Sequence, residues 1–117
     1  MSKEEVGSGG EILAAQWLTR EGFTILKRNF RHHRYEVDIV AGRDSILHFI
    51  EVKCRRSISY GHPEESVSRK KLEHILHAGA GWLLQWPGYQ RVQYDVLAIT
   101  LQKQASPEYV LFEDVYL

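Results

Sequence analysis

The stretch Glu36-Val37-Asp38-Ile39-Val40, followed after a short polar break by Leu47-His48-Phe49-Ile50-Glu51-Val52-Lys53, decides the fold of this chain. Both runs are mainly apolar and carry polar groups at alternate positions, which is typical of neighbouring strands in a sheet. Gly42-Arg43-Asp44 between them predicts a hairpin. A carboxylate inside such a sheet is costly unless a positive charge neutralises it. The two runs therefore predict an acidic site as well as two strands.

The residues on either side of this hairpin predict seven elements in the order αβββαββ. Helices are predicted at residues 4–21 and at about 64–86, where apolar residues recur at helical spacing. Strands are predicted at 24–30, 36–41, 45–53, 92–100 and 109–117, with turns or loops at 31–34, Ser57–Pro63 and Ser106-Pro107. Both faces of the third strand begin apolar, so helices are expected to cover both sides. The pattern predicts an α/β fold.

The composition is that of one domain spanning residues 1–117, with 44% hydrophobic residues and three tryptophans. No apolar run reaches the ~18 residues of a membrane span, and the Met-Ser-Lys-Glu-Glu start lacks the apolar stretch of a signal peptide. The single cysteine, Cys54, excludes an internal disulfide and fits a reducing compartment. We therefore expect a cytoplasmic protein with no membrane partner.

The charges are unevenly distributed although the net charge is zero. Residues 22–71 contain eleven Lys and Arg against six Asp and Glu, whereas residues 72–117 contain two against five. Three of the six acids in the basic region are Glu36, Asp38 and Glu51. Such a basic region around an acidic centre suits phosphate attraction combined with a metal site, although ordinary surface charge also fits.

A tight hairpin places Glu36 or Asp38 opposite Glu51, and directly paired residues point to the same face. Lys53, two residues after Glu51, shares that face. Hard cations such as Mg²⁺ are held by one or two carboxylates with phosphate and water. Lys53 could then orient an attacking water or stabilise the developing negative charge. The alternative is a salt-bridged hairpin face, with Glu36 or Asp38 against Lys53.

Two residues outside the hairpin have two interpretations each. Glu11 shares a helical stripe with Ala14 and Leu18, so it either points toward the metal site or is an acid favoured near a helix N-terminus. Lys71 opens the second helix and either contacts phosphate or belongs to a solvated basic turn.

The first strand and the turn after it carry Lys27, Arg28, Arg31 and Arg34, which extend the basic region. Tyr35 and Tyr60 could stack on bases, although aromatic residues beside turns are more often packing anchors. No segment has the pattern of a major-groove reader, so substrate shape is expected to matter more than base sequence.

The chain resembles the YraN-like family of small bacterial proteins, which are similar to archaeal Holliday-junction resolvases and belong to the PD-(D/E)xK nuclease superfamily. The resemblance extends over nearly the whole length. It rests on Gly10-Glu11 with Ala14 and Leu18, Gly22-Phe23-x-Ile25-Leu26-x-Arg28-Asn29, Glu36 to Val40, Phe49 to Lys53 with Arg55, Gly61-x-Pro63, Val67, Lys71 and Arg91-x-x-Tyr94-Asp95-Val96.

The resemblance implies a restriction-endonuclease-like three-layer core, in which a mixed five-stranded sheet is flanked by helices. It implies Asp38, Glu51 and Lys53 as the nuclease triad, Glu11 as an acid that completes the metal site, and Glu36 as a supporting acid. The sequence departs from the family at Tyr35, where glycine is usual, and at Cys54, where threonine is usual.

These observations predict a Mg²⁺- or Mn²⁺-dependent endonuclease acting on DNA, including branched or junction DNA, with RNA left open. Arg28, Arg55 and Lys71 are the expected phosphate contacts. Cutting two symmetric strands would require a homodimer. The alternatives are a non-catalytic nucleic-acid-binding module on a nuclease fold and an interaction domain whose acidic C-terminal half meets a basic partner.

Overall fold

In the described part of the chain, two helices and five strands follow one another in the predicted order αβββαββ. The computed structural model describes residues 3–56, 69–86, 88–89 and 91–115, with the backbone alone for residues 3–9. The elements are α1 (Lys3–Arg20), β1 (Thr24–His32), β2 (Tyr35–Arg43), β3 (Ile46–Arg56), α2 (Arg69–Gln85), β4 (Arg91–Gln102) and β5 (Ala105–Phe112). The predicted loop at Ser57–Pro63, with Tyr60, and the predicted helical residues 64–68 lie outside the described residues.

The five strands form one sheet in sequence order, β1-β2-β3-β4-β5. β3 and β4 are parallel, and the other three neighbouring pairs are antiparallel. A parallel pair needs a long crossover connection, and α2 lies in the connection between β3 and β4. The mixed five-stranded sheet and the α/β class expected from the sequence are therefore confirmed.

The two faces of the sheet pack against different helices. Ile39 and Ile50 belong to an apolar cluster with Ala14 and Leu18 of α1. The alternate residues of β3, such as Phe49, belong to a second cluster that contains the buried residues of α2, Ile75, Ala78 and Trp82. The result is three layers, with the sheet between α1 and α2, as expected. Neither described helix is long and apolar enough to cross a lipid bilayer.

α1 approaches the sheet closely at Gly10, which is buried. A Cβ atom at Gly10 would lie 2.8 Å from Cβ of Cys54, so a larger residue would push the helix away from β3. The close approach suits the small residues at the start of the helix. It also determines the position of Glu11, the next residue of α1.

Two turns differ in position from the sequence-based prediction. The β2–β3 turn is formed by Asp44 and Ser45, both with positive φ (53° and 65°), and not by residues 42–44. Two positive φ values are typical of the type I′ turn that suits a twisted hairpin. Gly42 belongs to β2 and pairs with Leu47. The β1–β2 turn is likewise shorter than predicted and contains only residues 33 and 34.

The last strand was predicted at the wrong residues. β5 runs from Ala105 to Phe112, whereas the pattern predicts 109–117 after a turn at Ser106-Pro107. The turn lies instead at residues 103–104. Proline is tolerated in β5 because β5 is an edge strand, where a missing N–H breaks no inner ladder. The register is irregular between Thr100 and Gln102, opposite this segment.

Candidate active site

The candidate site lies where β2 and β3 separate. Their regular pairing ends at Ile39 and Ile50, one step before Asp38 and Glu51 would face each other. Beyond that point the Asp38 carboxyl accepts a hydrogen bond from the backbone N–H of Val52 at 2.8 Å. The Asp38 side chain thus bonds to a backbone group that faces the gap between the strands, so its carboxyl lies between β2 and β3.

Asp38 and Glu51 are in direct contact. Glu51 is only 5% exposed, and its side chain is hydrogen-bonded to that of Asp38. The pKa of Asp38 is raised from its ordinary value of 3.8 to about 8, chiefly by burial and then by the nearby charge of Glu51, while the Val52 N–H opposes the shift. Ionising both carboxyl groups of a contacting pair is energetically unfavourable, so Asp38 keeps its proton near neutral pH.

Two lysines meet at the same carboxylates. Nζ of Lys71, in the first turn of α2, lies 2.5 Å from Oε1 of Glu51. Lys53 lies beside Lys71, and burial together with this neighbouring ammonium lowers the pKa of Lys53. Burial works against the charge on Lys71, but its hydrogen bonds to Glu51 and Lys53 raise its pKa overall. One lysine therefore holds its proton more firmly than usual and the other less firmly.

Glu11 lies within electrostatic reach of this pair but farther away. It is partly buried on α1, and its charge contributes to the raised pKa of Asp38 as the smallest of several causes. Among the described residues, Glu11, Asp38 and Glu51 do not form a group whose ligand atoms all lie within 4.8 Å of one another. Glu11 is therefore placed near the site and not in contact with both carboxylates.

The other residues expected at the site are more dispersed. Glu36 forms an ion pair with Arg31, directly across the β1–β2 ladder, at 3.2 Å. Arg28 is exposed on β1 opposite Ile39, one register step from Asp38. Arg55 is half-buried on β3 and continues the face of Glu51 and Lys53. Tyr35, considered for base stacking, instead stacks on His77 at 4.5 Å between ring centroids.

A second polar cluster, which we call the His48–Asp95 network, lies on the face of the sheet covered by α1. Nδ1 of His48 and Oδ2 of Asp95 are 2.6 Å apart, and both side chains are at most 2% exposed. Gln93 donates to Asp95 and to Glu113, and the backbone N–H of Asp114 donates to Asp95. The sequence-based prediction missed this network. Its signal was the pair Gln93 and Asp95 at alternate positions before an apolar run.

Ligand atoms of His48, Asp95 and Glu113 all lie within 4.8 Å of one another, close enough to share a cation. Their oxygens, however, already accept hydrogen bonds, and the guanidinium of Arg43 lies 3.1 Å from Glu113. A nearby positive charge and satisfied acceptors disfavour a cation. In the described part of the chain, Nε2 of His48 has no hydrogen-bond partner. The arrangement is that of a structural network.

The chain is similar to bacterial proteins described as UPF0102 proteins. It is 42% identical over 109 residues to one from Chlorobaculum parvum, covering 89% of this chain and 84% of the relative. It is 41% identical over 104 residues to one from Syntrophomonas wolfei, covering 87% and 90%. These relatives match the chain over most of both lengths.

Among solved structures, the chain is similar to Hjc of Archaeoglobus fulgidus, a Holliday junction resolvase from an archaeal hyperthermophile, with a TM-score of 0.50 and 17% identity over 91% of this chain and 85% of that one. This likeness confirms the resolvase-like nuclease fold expected from the sequence. The family model described as "Uncharacterised protein family UPF0102" matches residues 10–99. With relatives about 40% identical over most of its length, the chain belongs to the uncharacterised protein family UPF0102.

Proposed function

We propose that this protein is a Mg²⁺- or Mn²⁺-dependent endonuclease that hydrolyses phosphodiester bonds in DNA, with branched or junction DNA as the preferred substrate. The observation that carries the proposal is the contact between two acidic side chains, Asp38 and Glu51, beside Lys53 and Lys71. Burying two acids side by side costs folding free energy, and groups with pKa values perturbed in this way cluster at functional sites. The resolvase-like fold supports the same class of chemistry.

The acid pair fits a divalent cation. A proton on Asp38 and the ammonium of Lys71 on Glu51 already compensate the negative charge, which is the role that a cation would take over. Carboxylate oxygens are the ligands that Mg²⁺ and Mn²⁺ prefer. Asp38 and Glu51 would hold the ion, with Glu11 assisting from α1. When bound, the ion supplies Lewis acidity that acidifies water and offsets charge on the scissile phosphate.

The lysines of the site have separate tasks in this proposal. Lys53 has a lowered ammonium pKa, because of burial and the neighbouring Lys71, and would orient the attacking water. Lys71 keeps its charge and can turn from Glu51 toward a phosphate, since its side chain is 47% exposed. Arg28 and Arg55 would add phosphate contacts along β1 and β3. Glu36, paired with Arg31, would act only indirectly.

Incubation with four-way-junction, linear duplex and single-stranded DNA in Mn²⁺ tests the proposal. We expect metal-dependent cleavage, strongest on the junction, that is lost in Asp38→Ala and in Lys53→Ala. Lys70→Ala, a neighbouring lysine at the exposed start of α2, is the matched control. Because symmetric cleavage of a junction requires two active sites, we also expect a homodimer by sedimentation. Absence of cleavage of all three substrates would reject the enzyme.

The non-catalytic binding module is the second candidate. The observation that favours it is that Lys71 already neutralises Glu51, so the site is stable without a cation. A module would bind DNA equally well in EDTA and in Mn²⁺, and Asp38→Ala would leave its affinity unchanged. An enzyme instead gains affinity with Ca²⁺ or Mn²⁺ through the bound ion, and Asp38→Ala removes that gain.

A further inference from the structure

A groove separate from the acid pair lies between the edge strand β1 and the C-terminal end of α2. Its volume is about 770 Å³, and its lining includes Leu26, Lys27, Phe30, Arg31, Trp82 and Trp86. This volume is within the range of small-molecule and nucleotide-sized ligands. The groove opens on the same face of the sheet as the acid pair, since Phe30 and Trp82 belong to the α2-side apolar cluster.

One wall of the groove is aromatic. Trp86 is 48% exposed and lies over Trp82 with ring centroids 4.2 Å apart, while Trp82 contacts the ring of Phe30 edge-on at 5.1 Å. The buried N–H of Trp82 has no acceptor within the described part of the chain. Trp86 is therefore held by packing on its inner face and offers a preset ring on its outer face. Such a ring is a stacking platform for a base.

The other wall is cationic. Lys27 and Arg31 line the groove, and no acidic side chain does so among its described lining residues. Arg31 forms an ion pair with Glu36 at the surface, where the two side chains are 72% and 35% exposed. Exposed pairs contribute little to stability, so Arg31 can exchange Glu36 for a phosphate. An exposed tryptophan on one wall and two cations on the other combine base stacking with attraction of the phosphate backbone.

We propose that this groove binds an unpaired segment of a DNA strand, with a base stacked on Trp86 and its phosphates against Lys27 and Arg31. The positive lining argues against a second copy of the chain as the occupant. Across a two-fold axis each groove would face its own image, and like charges would repel. Stacking does not depend on base identity, so the binding is expected to be independent of sequence.

The position of the groove narrows the substrate class, and this step rests on the proposed function. Trp86, directly after the end of α2, lies fifteen residues from Lys71 at the acid pair, which corresponds to about 22 Å at the helical rise of 1.5 Å per residue. That is about six nucleotide steps along a duplex strand at 3.4 Å each. The preferred substrate would then carry unpaired nucleotides about six steps from the cleaved bond, as at a flap or an open junction.

Fluorescence anisotropy of a labelled 12-nucleotide single strand, and of the same sequence as duplex, tests the groove in EDTA, where no cleavage takes place. We expect Trp86→Ala to weaken single-strand binding about 5- to 100-fold and to affect the duplex much less. Lys27→Gln should weaken it severalfold and reduce the salt dependence by about one ion. Leu84→Ala is the matched control, because Leu84 is 81% exposed on the same helix outside the groove.

Each outcome decides the proposal. Unchanged single-strand affinity in both Trp86→Ala and Lys27→Gln overturns it, as does a dimer in sedimentation that Trp86→Ala converts to a monomer. If Trp86→Ala fails to fold, two other variants replace it. Trp86→Phe keeps a stacking ring, and Lys27→Gln changes an exposed strand position. Their single-strand affinities together decide the question. Because this binding assay is run in EDTA, where no cleavage takes place, a failed cleavage assay and a failed groove are told apart.

Discussion

Each side of the sheet holds a buried acidic cluster, but the two clusters differ in the partners of their carboxyl groups. In the Asp38–Glu51 pair the carboxyl groups contact each other, and burial and repulsion raise the pKa of Asp38 to about 8. In the His48–Asp95 network the acid is more deeply buried than Asp38, at 1% exposed, but each oxygen of Asp95 meets its own nitrogen partner. An acid whose oxygens all accept hydrogen bonds stabilises the fold. Two acids in contact repel each other when ionised, and a bound cation would relieve that repulsion. We therefore assign a structural role to the His48–Asp95 network and a chemical role to the Asp38–Glu51 pair.

Removing the acid of the His48–Asp95 network should have the largest effect on folding. Asp95→Ala leaves His48, Gln93 and the N–H of Asp114 without their shared acceptor, so we expect the free energy of unfolding to fall by about 3–5 kcal/mol. Urea titration followed by circular dichroism measures it. A loss below about 1 kcal/mol would show that the network is not what holds β3 and β4 together on this face.

Removing an acid of the Asp38–Glu51 pair should instead affect catalysis. Glu51→Gln is expected to lower Mn²⁺-dependent cleavage at least about 100-fold, because it removes a charged oxygen ligand. The isosteric Asp95→Asn, assayed well below its melting temperature, should remain within about threefold of the unaltered protein. If both variants lose activity equally, the division between a structural and a chemical acid is wrong.

Asp38→Asn should stabilise the metal-free protein at high pH. Folded Asp38 keeps its proton up to about pH 8, whereas the unfolded chain loses it near 3.8, so the folded state binds more protons between these values. The native stability therefore falls as the pH rises through this range, at up to about 1.4 kcal/mol per pH unit. Asparagine imitates the protonated acid and avoids this cost.

We expect Asp38→Asn to be more stable than the unaltered protein by about 1–3 kcal/mol at pH 8 and equally stable at pH 4. Denaturant titrations at several pH values in EDTA provide the test. Glu108→Gln, at an exposed position of β5, serves as the control that should change neither end of the range. A constant difference across the whole range would mean that Asp38 is not protonated in the folded protein.

The smallest expected effect concerns the two lysines. Burial and the contact with Lys71 lower the pKa of Lys53, so Lys71→Met should move that pKa upward, toward its ordinary value. NMR titration of lysine side-chain signals measures the shift, with Lys70→Met as the control at the exposed start of α2. No movement in Lys71→Met would indicate that burial alone sets the Lys53 pKa.

Much of this fold could be predicted from local patterns. Alternation of apolar residues in β2 and β3 predicted that Glu36 or Asp38 would lie opposite Glu51, because the side-chain period of a strand is two, and the observed ladder runs to Ile39 and Ile50, one step before Asp38 and Glu51. The prediction failed at β5, where Pro107 was interpreted as a turn signal although it lies in an edge strand. Whether a strand lies at the edge or in the centre depends on the assembled sheet, so a short stretch of sequence does not reveal it.

The sequence by itself determined which residues of β3 share a face, and hence that Glu51 and Lys53 would lie close together beside an acid of β2. The tertiary structure alone decided their partners. The β2–β3 ladder stops one step before Asp38, which turns that carboxyl onto the Val52 N–H. The crossover through α2 brings Lys71 onto Glu51, and the β1–β2 register gives Glu36 to Arg31. These contacts join residues of different elements, so their distances follow from packing and not from spacing along the chain.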